Sequence, residues 1–174
     1  DYSICINCKC TNLKKHEYNA VIDELSAPLY RYAFHFLRNK EDAKDIIQDV
    51  FEKLWINRKM IDLDRVKSWL YRCTHNAMVN FLSKKSRTQY MNSQELPLSS
   101  TPFNSTFESM QVVERMVNIL PPTQKSIILL RDIEGYSYKD IGHILDLSAS
   151  QVKVYLFRAR MKIKKQLLGL NKLA

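Results

Sequence analysis

Leu147 to Lys165, LSASQVKVYLFRARMKIKK, is the stretch that most narrows what this chain can fold into. Ser148 stands at an N-cap position and Gln151 follows three residues later, the capping-box spacing that marks a helix start. Val152, Tyr155, Leu156, Ala159, Ile163 and Leu167 then recur at helical spacing and predict a buried stripe. Ser150, Gln151, Lys153, Val154, Phe157, Arg158 and Arg160 fall on the other faces, and the whole stretch holds no acid. A helix with polar and basic side chains toward its N-terminal end, entered through a tight turn, suits reading of base edges in a DNA major groove.

The residues before it complete a helix-turn-helix. Ser137 caps a short helix with Asp140 three residues on, and Tyr138, Ile141, Ile144 and Leu145 form its apolar face. Asp146 and Leu147 make the short connection into Ser148. Upstream, Leu120-Pro121-Pro122-Thr123 starts another helix with proline in its first turn. That helix runs through Ile127, Ile128, Leu130 and Ile133 and stops at Gly135, a C′ glycine. A small bundle with an ordinary solvated basic face accounts for the cations, but not for the caps and the turn spacing.

The charge agrees with a polyanionic partner: the 174 residues carry a net +9. Lys and Arg exceed the acids in residues 1–90 and again in 111–174, whereas 91–110 hold no cation and two acids, Glu95 and Glu108. Three glycines in the chain, with no alternating apolar runs, predict an all-α protein. No stretch approaches the roughly 18 apolar residues of a membrane span and no signal peptide is visible, so the chain reads as soluble and cytoplasmic. It also lacks a Gly-rich phosphate loop, a nucleophile elbow and an HExxH pair, so neither enzyme nor cofactor is expected.

Two helical blocks flank a linker. Residues 91–106, MNSQELPLSSTPFNST, have no helical period and read as extended and mobile. Three helical patterns precede them, at roughly 16–38, 40–57 and 64–86. Their apolar stripes are Val21, Leu25, Leu29, Tyr32, Phe36 and Leu37; then Ala43, Ile46, Ile47, Val50, Phe51 and Leu54; then Val66, Trp69, Leu70, Cys73, Ala77 and Phe81. Three such faces pack into a bundle. The expected division is an N-terminal extension at 1–14, a first domain at 15–90, a linker at 91–106 and a helix-turn-helix domain at 107–174. In the extension, Cys5, Cys8 and Cys10 form a CxxCxC cluster, but a structural zinc site wants four ligands and no second close pair is present, so a silent extension is the expectation.

Two sets of these residues resemble one family. Asp42-Ala43-Lys44-Asp45-Ile46-Ile47-Gln48-Asp49-Val50-Phe51-Glu52-Lys53-Leu54-Trp55 is similar to the region 2.2 helix of bacterial RNA polymerase sigma factors. Trp69-Leu70-Tyr71-Arg72 through Asn76 to Asn80-Phe81-Leu82 resembles the following regions 2.3 and 2.4. Leu120-Pro121-Pro122, the run Leu129 to Tyr138 and the Val152-Lys153…Arg158-Ala159-Arg160 helix resemble region 4. Two such domains with nothing further are similar to the extracytoplasmic-function (ECF) group of the sigma-70 family. The likeness covers roughly residues 15–168, with both motif sets in the expected order.

The resemblance implies a protein that binds core RNA polymerase and directs promoter recognition and transcription initiation. It implies polymerase docking by the second helix, where Asp45, Gln48 and Asp49 share one face and Phe51 and Trp55 stand four apart; Phe51 reads equally well as core. It implies that Arg65, Arg72, Asn76, Asn80 and Lys84 hold the promoter −10 element as single-stranded DNA. Ser150, Gln151, Lys153, Val154, Phe157, Arg158 and Arg160 would meet the −35 element as duplex, Arg160 more on the backbone than on bases. An anti-sigma factor, in many relatives membrane-anchored, is the further partner implied.

The chain also departs from the family pattern. Val154 and Tyr155 stand where relatives often carry Ser and a basic residue, so a −35 preference cannot be borrowed. Gly142 stands where a small Ala is usual, at a helix cost of about 1 kcal/mol. The linker holds a single acid, Glu95, where family linkers are often more acidic. The alternative reading is a stand-alone helix-turn-helix regulator, in one version responsive to thiol oxidation or metal through Cys5, Cys8 and Cys10.

Overall fold

The computed structural model describes residues 13–91 and 116–170, with side chains to residue 87 in the first stretch and to 168 in the second. The cysteines at 5, 8 and 10 and the linker at 92–106 lie outside the described residues. The first block holds α1 (Lys15–Leu37), α2 (Lys40–Asn57) and α3 (Leu63–Met91). The second holds a helical turn at 116–118, α4 (Pro122–Ile128) continued by a π-helical turn (Leu129–Ile133), α5 (Tyr138–Leu145) and α6 (Ala149–Leu170). Among the described residues there is no strand, and no helix is long and apolar enough to cross a membrane. The architecture is all-α in two helical blocks.

Local chemistry sets the helix ends. Glu17 accepts from the Lys14 backbone N–H at 2.6 Å, closing the start of α1, and Arg38 leaves its end in the left-handed region at φ 60. The Asn39 side chain then accepts from the N–H groups of Glu41 and Asp42 and starts α2 within two residues. The tight connection holds α1 against α2, and α3 packs across both. Val21, Leu25, Leu29, Tyr32 and Phe36 of α1 are buried, with all six apolar positions of the α2 stripe. Leu13 is buried as well, its N–H donating to the Arg58 carbonyl, so the end of the expected extension belongs to the core.

On α3 the structure differs from the predicted stripe. Val66 and Leu70 are buried, but Trp69, Cys73, Ala77 and Phe81 are only half-buried, and the fully buried positions include Tyr71, Thr74 and Met78. A helix packed on one side buries one stripe; α3 packs on α1 and α2 and also contacts α5 of the second block, and the Tyr71 ring lies 5.6 Å from Tyr32 and 5.0 Å from Tyr136, so its buried surface is wider than one stripe.

The predicted helix from Pro122 to Gly135 forms, but widens. After α4 the backbone takes up one extra residue per turn, and the N–H of Glu134 reaches back five residues to Leu129. Gly135, at φ 75, then terminates the run as expected, and Tyr136 N–H donates to the Leu130 carbonyl. α6 packs on α4 and α5 through Val152, Leu156 and Ala159, all buried. One apolar cluster runs through both blocks, because α3 touches α5 and α1 touches the π turn.

Candidate nucleic-acid interface

The start of α6 is built as its sequence predicts. Gln151 N–H donates to the Ser148 hydroxyl at 3.2 Å, and Ser148 N–H donates to the Gln151 side-chain oxygen at 2.8 Å. Ser137 accepts from Asp140 N–H and starts α5 in the same manner. The turn between them rests on Asp146, left-handed at φ 58, and on a bond from Leu147 N–H to the Gly142 carbonyl at 2.9 Å. A β-carbon on Gly142 would stand 2.5 Å from the Leu147 carbonyl oxygen. The glycine that weakens an isolated helix is therefore what lets this turn close.

All seven expected −35 contacts, Ser150, Gln151, Lys153, Val154, Phe157, Arg158 and Arg160, lie on the exposed side of α6. They are not equally available. The Gln151 oxygen is used in the capping box, leaving its amide nitrogen to donate outward. Arg160 is paired with Asp132 of the π turn at 2.6 Å, which raises its pKa through that hydrogen bond. Lys153 lies 5.8 Å from the centre of the Tyr138 ring. Among the described residues Arg158 makes no hydrogen bond or ion pair, and Val154 and Phe157 are 46% and 66% exposed.

The expected −10 residues on α3 are exposed too, at Arg65, Arg72, Asn76, Asn80 and Lys84. Arg72, with 44% of its side chain exposed, is also bonded to the second block. Its Nε donates to the Ile144 carbonyl at 3.2 Å and its Nη2 to the His143 carbonyl, with Asp146 at 4.0 Å. The guanidinium thus occupies the C-terminal end of α5, where carbonyls lack helical partners and a cation is favoured. Further along α3, Lys85 pairs with Asp42 of α2 at 3.5 Å.

On α2, Asp45, Gln48 and Asp49 are exposed on one face. Phe51 is not a surface anchor. It is only 8% exposed, sits in the core, and its carbonyl accepts from the Tyr18 hydroxyl at 3.1 Å. Trp55 is 36% exposed, edge-on to Tyr18 at 4.9 Å and covered by the Arg58 guanidinium at 3.9 Å. The exposed apolar residues at this end that sequence reading missed are Ile56, at 67%, with Met60 and Leu63. Spacing could have found Ile56, since it lies four residues after Glu52, seven after Asp49 and eleven after Asp45.

The seam between the blocks is polar where its side chains interlock. The Tyr32 hydroxyl donates to Ser126 Oγ at 2.8 Å, and Ser126 Oγ lies 2.8 Å from His75 Nδ1. Burial lowers the His75 pKa to about 4, so the imidazole is neutral at pH 7. Lys125 Nζ donates to the Phe36 carbonyl at 2.5 Å and to Asn118 Oδ1 at 2.6 Å, and burial, with Arg38 nearby, lowers it to about 8. Arg31 forks onto Glu134 through Nε and Nη2 at 3.4 and 3.2 Å. A cleft of about 600 Å³ opens beside this seam, lined by Glu24, Glu134 and Asp140 against Lys67, a lining that repels phosphate. Burial pushes the Cys73 thiol up to about 11, so it is no reactive thiolate, and no cluster of metal-binding side chains occurs among the described residues.

Comparison with known proteins adds a second line. Residues 21–88 match the family model described as Sigma-70 region 2, and residues 110–163 match Sigma-70, region 4. The ECF RNA polymerase sigma factor SigW of Bacillus subtilis is 24% identical, over 93% of this chain and 96% of its own. RNA polymerase sigma factor SigZ of the same organism is 28% identical over 84% and 85%. The ECF RNA polymerase sigma-E factor of Escherichia coli is 29% identical over 70% and 72%. Among solved structures, the sigma factor RpoE in complex with the anti-sigma factor NepR from Bartonella quintana superposes with a TM-score of 0.71 at 20% identity, covering 87% of this chain and 96% of that one. CnrH in complex with the cytosolic domain of CnrY gives 0.67 at 22%, covering 90% of each.

Proposed function

This chain belongs to the sigma-70 family, in its ECF group, and from that premise we infer how its surfaces divide the work of a sigma factor that binds core RNA polymerase and directs promoter recognition. The observation that carries the reading is the co-occurrence of both regions, in order, in one chain. A lone helix-turn-helix has many uses; one preceded by region 2 has a polymerase to serve.

Residues 15–90 are the block for polymerase and the −10 element, and residues 107–174 the block for the −35 element. On α2 the exposed Asp45, Gln48 and Asp49 dock on the polymerase, with Trp55 as a half-exposed aromatic anchor and Ile56 extending the same face. Arg65, Asn76, Asn80 and Lys84 along α3 serve the opened −10 strand, joined by Arg72 once the blocks separate. On α6, Lys153, Val154, Phe157 and Arg158 are the base-facing set, Ser150 and the Gln151 amide support them, and Arg160 is reserved for backbone. An anti-sigma factor is a fitting inhibitor, as in the complexes of the two similar structures. The workplace is the cytoplasm, where the polymerase is.

The test is to mix the chain with sigma-free bacterial core polymerase and transcribe a random promoter library. Stable holoenzyme and initiation at sites sharing a −35 and −10 pair are expected. Duplex binding without any affinity for polymerase would overturn the reading in favour of a stand-alone regulator. Replacing Asp45 and Gln48 together should lower polymerase affinity with helix content unchanged; unaltered affinity would remove the docking assignment.

A further inference from the structure

Exposed apolar side chains are common on protein surfaces and singly mean little. Those on α6 are arranged. Ser150, Val154, Phe157 and Met161 follow one another at intervals of four, three and four, so they form one stripe along the outward side of the helix. Val154, Phe157 and Met161 are all exposed large hydrophobics, flanked by Lys153, Arg158 and Lys162 with no acid on the helix. The stripe begins within the first two turns after the capping box, the part of a recognition helix that reaches base edges. Val154 does not serve the core, which α6 supplies through Val152, Leu156 and Ala159 on its opposite side. Nor does it serve helix stability, because a β-branched residue is a poorer helix former than alanine.

Val154 has no hydrogen-bonding group, so it cannot discriminate bases by donors and acceptors. Among the four bases only thymine presents a methyl group in the major groove, and apolar side chains read it by contact. The flanking cations set the occupant: a polyanionic duplex satisfies Lys153 and Arg158 while placing base edges against the apolar strip between them. Resting on the −35 assignment above, we propose that Val154, with Phe157 one turn further on, reads the 5-methyl group of a thymine in the −35 element. The promoter preference of this chain is thereby set at that base by apolar contact rather than by a hydrogen bond.

The test replaces the methyl and nothing else. The −35 element is first obtained from the random-library selection with holoenzyme containing the full chain. Each thymine in it is then changed to deoxyuridine, and holoenzyme affinity is measured. At one or two positions the unmodified chain should bind about fourfold more weakly, the factor corresponding to roughly 0.8 kcal/mol for one buried methyl-sized group. With Val154→Ala the deoxyuridine penalty should vanish at one of those positions, and Val154→Ser should select a different base there. A selected −35 element without thymine, no deoxyuridine penalty at any thymine, or a penalty unchanged in Val154→Ala would each overturn the inference. The first two of these outcomes need the unmodified chain alone, so a folding defect in a variant cannot decide them. Failure to form holoenzyme, or selection with no −35 preference, strikes the sigma-factor assignment instead, and the two failures are separate readings.

Discussion

The two helices proposed to meet DNA treat their cations differently. On α6, Arg158 is without an intramolecular partner among the described residues, while on α3 the Arg72 guanidinium is bonded to two carbonyls at the end of α5 and lies near Asp146. Both arginines sit on exposed helix faces of basic stretches, and nothing local distinguishes them. The difference is tertiary: a helix C-terminus lies beside one and not the other. In this closed arrangement the helix proposed to read the −35 element is presented, and Arg72, proposed for the −10 element, is engaged by the second block. Opening the seam is then a condition for full −10 contact, and the seam's strength becomes measurable.

The most sensitive part of that seam is the Tyr32–Ser126–His75 chain. His75 has its pKa lowered by burial from 6.5 to about 4, so the unfolded or opened chain takes up a proton more readily than the closed one. Stability from this group is full above pH 6.5 and is lost as pH falls through 4. The loss amounts to about 3 kcal/mol at most. Denaturant unfolding followed between pH 7 and pH 4 should show this slope, and His75→Gln should flatten it. An equal slope in the variant would assign the acid sensitivity elsewhere and leave the seam untested by protons but broken as an explanation.

Gly142→Ala asks whether helix propensity or turn closure governs the presented helix. Propensity alone favours alanine by about 1 kcal/mol. The 2.5 Å approach of its β-carbon to the Leu147 carbonyl opposes it, and a forced backbone shift costs about 1–3 kcal/mol. Net destabilisation of about 1 kcal/mol is expected, with weaker −35 binding because α6 is reoriented. A more stable variant with unchanged binding would show the turn relaxes freely.

Arg72→Ala sharpens the comparison directly. The side chain is partly exposed, so solvent screening limits its contribution to the closed form to about 1 kcal/mol. A larger separation between fluorophores on α1 and α6 should follow, together with weaker −10 binding in the holoenzyme. Weaker −10 binding with no change in separation would mean that the contact to α5 is incidental.

How much of this was legible in advance follows the range of the interactions. The caps at Ser137 and Ser148, the α2 stripe, the glycine stop at Gly135 and the outward set on α6 were readable because each depends on residues within a few positions. The burial of Tyr71 was not, because it comes from rings brought in by other elements, Tyr32 of α1 at 5.6 Å and Tyr136 at 5.0 Å, and no local pattern marks Thr74 or Met78 either. Phe51 was ambiguous from spacing and resolved by the core; Gly142 looked like a weakness until the turn beside it was visible. Charge and helix face single out Arg72, but no local pattern announces a helix terminus that arrives from the other block.

The smallest expected effect concerns the other engaged cation. Arg160 is paired with Asp132 at 2.6 Å on a solvent-exposed surface, where such pairs contribute little to folding. Asp132→Asn should therefore change unfolding stability by less than about 0.5 kcal/mol. It removes a nearby negative charge and frees the guanidinium for phosphate, so the dependence of DNA affinity on salt should steepen by about one counterion, a slope change of roughly 0.9. The readout is log affinity against log salt for holoenzyme on promoter duplex, compared between the two chains. Arg158, without a partner among the described residues, provides the contrast: its alanine variant should lose specificity at one base, whereas freeing Arg160 should strengthen binding to all sequences alike. An unchanged slope would leave Arg160 as a brace between the π turn and α6, and confine −35 contact to the residues nearer the capping box.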